Sequence, residues 1–221
     1  VLKMNKLIIA ISSIWLLAVS SAMSMDLRPS IGISGNVAAY SALGVEENYN
    51  EAGSAIDETH KVTGAFATEY ASIFVELGLT DAISIGLDYV PNTIETPQNI
   101  SNEDQSNENA VKAHIEDLTT LYAKLDLPLG GTYLKFGISA ADVTSIENMS
   151  SGNSYGNDST TGITLGVGYN HEVSNGFSVR AEVTASEFDD VKATNGQTNK
   201  TDITIQNMIG ARGTISLVKS F

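Results

Sequence analysis

The sequence predicts an all-β fold, an eight-stranded antiparallel up-and-down transmembrane barrel, and three observations predict it. Past residue 25 the chain alternates apolar and polar residues with period two, and no long stretch holds a 3.6-residue apolar period. The alternating stretches number eight, and the links between them are short and long by turns. Across the three short links, the parity of the apolar residues changes only where the length of the link requires it.

The first stretch sets Ile31, Ile33, Gly35, Val37 and Ala39 on one face and Ser34, Asn36 and Tyr40 on the other. The second ends with Ala71, Ile73, Val75, Leu77 and Leu79 opposite Ser72, Phe74 and Glu76. The third carries Ile83, Ile85, Leu87 and Tyr89 opposite Ser84, Gly86 and Asp88. In the fourth, Leu121, Ala123, Leu125 and Leu127 oppose Thr120, Tyr122, Lys124 and Asp126. The fifth places Leu134, Phe136, Ile138 and Ala140 against Tyr133, Lys135, Gly137 and Ser139. Ile163, Leu165, Val167 and Tyr169 define the sixth, and Phe177, Val179, Ala181, Val183 and Ala185 the seventh, opposite Ser178, Arg180, Glu182 and Thr184. The eighth runs through Ile209, Ala211, Gly213, Ile215, Leu217 and Phe221, opposite Gly210, Arg212, Thr214 and Ser216.

Directly opposed residues of an antiparallel hairpin share a face. Two short links, Thr80–Ala82 and Ser174–Gly176, hold three residues each, so apolar odd numbers should oppose apolar odd numbers. The spacing accordingly predicts Leu79 facing Ile83 and Val173 facing Phe177, with Gly176 supplying a left-handed residue. The four-residue link Pro128–Gly131 should switch the parity, and it does: Leu127 faces Thr132 and the next strand is apolar at even numbers. The other links run to about 17 to 23 residues, longer than the ~12–15 of compact soluble domains and in keeping with a barrel that has short turns on one side and long loops on the other.

Residues 1–24 read as a cleaved secretory signal: a basic start at Lys6, an apolar run from Leu7 to Val19, and small residues at two cleavage points, after Ala22 or after Ser24. The apolar run falls short of the roughly 20 residues that a spanning helix needs. Residues 25–221 form one barrel domain. The chain has no cysteine, so disulfides and thiolate metal sites are excluded. Twelve Lys and Arg against 26 Asp and Glu leave a formal charge of −14, which excludes nucleic acid as a partner.

Alternation does not by itself tell inside from outside, and a soluble barrel would turn its apolar face inward around a ligand. Here the apolar face stays uncharged for about five alternate positions per strand, roughly the 25 Å band of a membrane barrel. Charges reach that face only near the long loops, at Glu69, Asp117, Asp142 and Glu187. Lys219 is the exception, and its stem can snorkel to the interface. The other face holds Glu76, Asp88, Glu116, Lys124, Asp126, Lys135, Arg180, Glu182 and Arg212. Charges of both signs crowded on one face suit a closed interior in which each ion needs a partner, so these nine are expected to form a packed salt-bridge network. Turn parity sets Lys124 opposite Lys135, a repulsive pair for which Asp88 or Asp126 is the expected bridge.

The layout of residues 29–221, with the closing strand Asn207–Phe221, resembles the OmpA/OmpX-type family of small outer-membrane barrels, including the opacity-like proteins. Members end in a strand closing on an aromatic residue that the barrel-assembly machinery reads, and Ile215, Leu217 and Phe221 fit that signature. Lys219 departs from the apolar residue usual there. The resemblance implies export to the outer membrane of a Gram-negative cell, a monomer, and partners among outer-membrane lipids and lipopolysaccharide. The peptidoglycan-binding domain that some relatives carry is not expected after Phe221.

His60, His114 and His171 show no ligand spacing, and a lipid-modifying enzyme would need a Ser/His/acid set at one level, to which His114 with Glu116 comes nearest. The loops hold Glu46, Glu47, Glu51, Asp57 and Glu58, then Glu103, Asp104 and Glu108, then Asp189 and Asp190, without the order of a calcium loop. The stretch Ser151–Gly156 lacks the strand-to-helix context of a phosphate loop. Neither a metal, a cofactor nor an enzymatic activity is therefore expected. The favoured role is structural and interactive, with four acidic loops displayed outside. A narrow porin-like channel is the alternative, and a lipid-modifying enzyme a remote third.

Overall fold

The computed structural model describes residues 27–50, 53, 55–104, 107–148, 155–195 and 200–221; residues 1–24, expected to be a signal, lie outside them. The strands are β1 (Arg28–Tyr49), β2 (Ile56–Gly78), β3 (Ile83–Tyr89), β4 (Ile94–Glu95), β5 (Asn99–Asp104), β6 (Asn107–Asp126), β7 (Thr132–Asn148), β8 (Asp158–Ser174), β9 (Phe177–Phe188), β10 (Val191–Thr194) and β11 (Thr201–Ser220). Every pairing is antiparallel, and β1 joins β11 to close the ring β1-β2-β3-β6-β7-β8-β9-β11. Eight staves result, because β4 and β5 continue the path of β3 along β6, and β10 continues that of β9 along β11.

Much of the long links is strand rather than loop. β1 runs 22 residues and β2 23, about twice the 9–11 that cross a membrane. Their outer arms carry polar and apolar residues without a clean period, since water reaches both faces there while the backbone ladder continues. Alternation reports burial on one side, so the sequence showed where each strand enters the hydrocarbon and not where it ends.

The short turns define one end of the barrel, called here the turn end. Leu79 and Ile83 pair through a backbone hydrogen bond of 2.8 Å, and Leu127 and Thr132 through one of 2.9 Å, as turn parity requires. The third turn differs from expectation. His171 opposes Val179, but the register slips after Glu172 and Ser174 pairs with Phe177, so Val173 does not face Phe177. Asn175 and Gly176 both take left-handed backbone (φ 47° and 75°), which makes a two-residue primed turn matched to strand twist. A bulge absorbs the odd residue, and the strand body keeps its parity.

The apolar face points outward. Ile33, Ile138 and Val183 are each about 60% exposed, while Ser34, Ser72, Ser139 and Thr184 are buried inside. Around the lumen, aromatic rings lie flat on glycines directly across the ladder: Phe74 on Gly32, Tyr122 on Gly86, Tyr133 on Gly168 and Tyr40 on Gly210. A Cβ at any of those glycines would overlap the ring. Small residues thus make room for large ones in a cylinder of fixed width.

Candidate functional site

Two ion clusters fill the half of the lumen nearer the turn end. In the first, Glu76 receives a two-pronged contact from Arg180 (2.9 and 3.3 Å) and hydrogen bonds from Tyr122 Oη at 3.1 Å. Lys124 lies 3.3 Å from Glu76 and 3.0 Å from Asp126. In the second, Glu182 accepts from Lys135 Nζ and from Tyr133 Oη, each at 2.9 Å. Arg212 spans the clusters' upper edge, 3.5 Å from Asp88 and 3.8 Å from Glu182, and donates to Thr184.

Aromatic faces complete the coordination. Lys135 Nζ sits 4.2 Å above the Tyr122 ring, and Arg180 lies 5.2 Å from Phe74 and 5.3 Å from Tyr133. Sequence reasoning named the ions and missed these rings. The signal was available, since Phe74, Tyr122 and Tyr133 share the ions' parity and oppose glycines. Four cations, Lys124, Lys135, Arg180 and Arg212, are met by Glu76, Asp88, Glu182 and Asp126, so charge balances within the cross-section.

Of the nine residues expected inside, seven are buried there: Glu76, Asp88, Lys124, Lys135, Arg180, Glu182 and Arg212. Asp126 stands at the turn-end rim with its side chain 37% exposed. Glu116 is elsewhere. Asp117 takes a left-handed backbone (φ 52°) and the register slips between Glu116 and Thr119, a bulge that reverses the faces of β6 above it. Ile115 therefore turns into the lumen, while Glu116 faces outward opposite Asp142 and accepts from Thr144 at 3.1 Å.

Lys124 and Lys135 do oppose each other across β6 and β7. The expected bridge does not form. Asp88 is committed to Arg212, and Asp126 reaches Lys124 alone, so neither joins the two lysines. Each ammonium instead swings to its own glutamate, Lys124 to Glu76 and Lys135 to Glu182. Separate acids on opposite walls relieve the repulsion better than one shared carboxylate could.

Above the ions the lumen becomes polar-neutral and then apolar. Hydroxyls of Thr120, Ser139, Thr164 and Ser186 form a chain of contacts of 2.8 Å across four staves. Over them, Tyr40 bonds Tyr70 at 3.1 Å and stacks on Phe66, within a cluster that includes Val90, Ile94, Ile115, Leu118 and Phe188. No sequence signal marked this layer as apolar.

Among the outer-arm groups, Asp202 forms a clamp. Lys192 and Lys200 reach it at 2.9 and 3.0 Å, and Tyr49 Oη donates to it. Burial raises the carboxyl's pKa, but hydrogen bonds from the two lysines outweigh that and hold it down to about 2. His60 lies 3.3 Å from Glu58 and His114 3.8 Å from Glu95; His171 stacks near Tyr169. Among the described residues, no three His, Asp or Glu side chains gather as a metal site would require. The loop acid Glu51 and the stretch 151–154 lie outside the described residues, as do the side chains of Glu103, Asp104 and Glu108.

At the turn end, Ile215 and Leu217 face outward and Phe221 is 75% exposed. Lys219 donates to the Asn175 carbonyl at 2.7 Å, its ammonium 4.5 Å from the Phe177 ring, so it leaves the apolar wall for the rim.

No family model matches the chain, and no curated protein matches it. Solved structures do. The outer membrane protein OprG from Pseudomonas aeruginosa aligns over 87% of this chain and 95% of its own, at 14% identity and a TM-score of 0.53. The outer membrane protein AlkL aligns over 86% and 90% (12% identity, TM-score 0.43), and Ail of Yersinia pestis over 86% and 99% (10% identity, TM-score 0.40). The likeness to OprG is one of fold: an antiparallel eight-stranded barrel of the outer-membrane kind.

Proposed function

We propose that this chain is an OmpA/OmpX-type resident of the Gram-negative outer membrane that stiffens the bilayer locally and presents its acidic outer arms to lipopolysaccharide and other surfaces, without conducting solutes and without catalysis. One observation carries the reading. The cross-section nearer the turn end is filled by ions that neutralise one another, and seven of them are buried to 9% exposure or less. An eight-stranded barrel is just wide enough for side chains to fill, and opening a path here would leave paired charges without partners. The porin-like alternative needs a conduit through this layer.

The aromatic terminus with Ile215 and Leu217 supports recognition by the assembly machinery, and the outward apolar band supports a lipid environment for a single barrel. His114 and Glu116 share the outer face of β6, away from the lumen where a water-excluded reaction would run. Purified, heat-modifiable protein in planar bilayers tests the reading: it should give no stable conductance step, and a reproducible open level would overturn it.

A further inference from the structure

We propose that the outer arm of β2 is a self-adhesion strand, pairing edge to edge with the same segment of a second copy that stands in a facing membrane. Given the outer-membrane reading on which this rests, the arms stand outside the cell. The ladder between β2 and β3 ends at the pair Ile73 and Tyr89, and above it, among the described residues, β2 bonds to β1 alone. Next to the break Tyr70, Val90 and Ile94 are buried, so side chains fill the gap there. Farther out the strand stands clear, and every residue from 56 to 65 is exposed. A strand edge left in this way offers unpaired N–H and C=O groups, and the occupant that matches them is another extended strand.

The residues of the edge select which strand. The run Asp57, Glu58, Thr59, His60, Lys61 is its own complement when read in reverse. Centre an antiparallel pair of two such arms on Thr59, and Thr59 opposes its mate while Glu58 opposes the partner's His60. Asp57 then meets the partner's Lys61, and two-fold symmetry makes each of these contacts twice. Threonine pairs and opposite charges are favourable cross-strand neighbours, and like charges directly opposed are not. Centring the pair on Glu58 or on Lys61 would set like charges face to face, so the charges specify one register. Within one arm His60 already lies 3.3 Å from Glu58, so two copies gather four alternating groups on one face. A register slip leaves Asp57 without a partner on β1, which ends the regular pleat there and keeps the zipper short.

The direction of the strands settles where the second copy stands. Barrels in one bilayer share an orientation, and strands tilted about 35–45° there cross at about 90° at most, never antiparallel. An antiparallel pair needs a two-fold axis in the membrane plane, which sets one membrane against another. An overlap over residues 57–61 falls well short of the roughly 1,000 Å² of a stable interface, so single contacts are weak and many copies on facing surfaces act together.

The test is clustering of phosphatidylcholine vesicles that carry the full folded barrel, followed by light scattering. Flotation and heat-modifiable gel mobility establish that each variant is inserted and folded. Wild-type vesicles should cluster, and Thr59→Lys vesicles should not, because two ammonium groups then meet at the axis. Lys61→Glu vesicles and Asp57→Lys vesicles should each stay dispersed alone. Mixed one to one they should cluster again, since each substitution then meets the opposite charge. The chain has no cysteine, so mild oxidation of clustered Thr59→Cys vesicles should give a linked dimer. Thr63→Cys, roughly 25 Å from its mate in this register, should give none. Wild-type vesicles that carry inserted barrel and stay dispersed overturn the proposal. So do Thr59→Lys vesicles that cluster like wild type, or a mixture that clusters no better than its two components. Failure to insert overturns the outer-membrane reading, and the self-adhesion strand with it.

Discussion

Replacing Glu182 with Gln should test the packed lumen most sharply. Glu182 is buried and serves Lys135 and Tyr133 at 2.9 Å, with Arg212 at 3.8 Å. Among the described residues it is the only carboxylate paired with Lys135. The amide keeps the shape and removes the charge, leaving an ammonium in a site with 6% side-chain exposure. Breaking a buried pair in this way costs about 3–5 kcal/mol. Asp126→Asn is the internal comparison. Asp126 is more than a third exposed, and Lys124 keeps Glu76 at 3.3 Å, so solvent screening limits the loss to about 0–1 kcal/mol. A second substitution, Lys135→Met, added to Glu182→Gln should restore most of the lost stability, because an apolar side chain replaces an unpaired charge. The single tryptophan, Trp15, precedes the barrel strands, so urea unfolding in lipid vesicles is best followed by circular dichroism and gel mobility. Equal losses for Glu182→Gln and Asp126→Asn, or no recovery in the double variant, would refute the reasoning that paired charge holds this layer.

Gly86→Ala and Gly168→Ala should each cost about 1–3 kcal/mol by overpacking against Tyr122 and Tyr133, whereas Gly35→Ala, with open space outside it, should stay within about 0.5 kcal/mol in the same unfolding assay. Asn175→Ala removes a residue type that tolerates left-handed backbone and should cost about 1–2 kcal/mol, with slower refolding as a further readout. The Asp202 clamp should be pH-sensitive in one direction. Its folded pKa, about 2, lies below the unfolded value of about 3.9, so its stabilisation is complete above the latter and is lost as pH falls through the former. Carboxyl-carbon NMR should show Asp202 titrating near 2, with the amides of Val191–Thr194 shifting alongside, and Asp202→Asn should remove the coupled shift.

The membrane-crossing cores of the eight staves were legible because each has one face in lipid and one face in a polar interior, which writes a period of two into the residues. The parity switch at Pro128–Gly131 was legible for the same reason. The swap of acids around Lys124 and Lys135 was not, since register places Cα atoms and long side chains then choose partners across the lumen. Glu76 and Glu182 reach lysines on staves that are not their neighbours in the chain. The turn at Asn175–Gly176 was half legible. Its left-handed glycine was expected, but a preceding asparagine that also adopts that conformation shortens the loop by one residue, and the bulge at Val173 repairs the phase.

The misplacement of Glu116 and the apolar layer of the upper lumen have one cause. Along β6 the odd positions are apolar on both sides of Asp117: Val111, Ala113 and Ile115 above, Leu121, Ala123 and Leu125 below. Along β11 they are apolar on both sides of Asn207: Ile203 and Ile205 above, Ile209 and Ala211 below. Both interrupting residues take left-handed backbone, at φ 52° and 51°, and both sit in bulges. One extra residue reverses the pleat, so the parity that faces lipid below each bulge faces the lumen above it. Alternation read as one face is thus two faces in sequence: Leu121 and Ile209 are exposed on the wall, while Ile115 and Ile205 line a cavity at the loop end. The apolar interior arises without any new pattern of residues, from two short polar residues that can adopt a backbone most others avoid. Removing the freedom at those two points, with Asp117→Val and Asn207→Val, should therefore shift the methyl NMR signal of Ile115 in the folded barrel while the ion-filled layer, built from strand segments below the bulges, keeps its unfolding resistance.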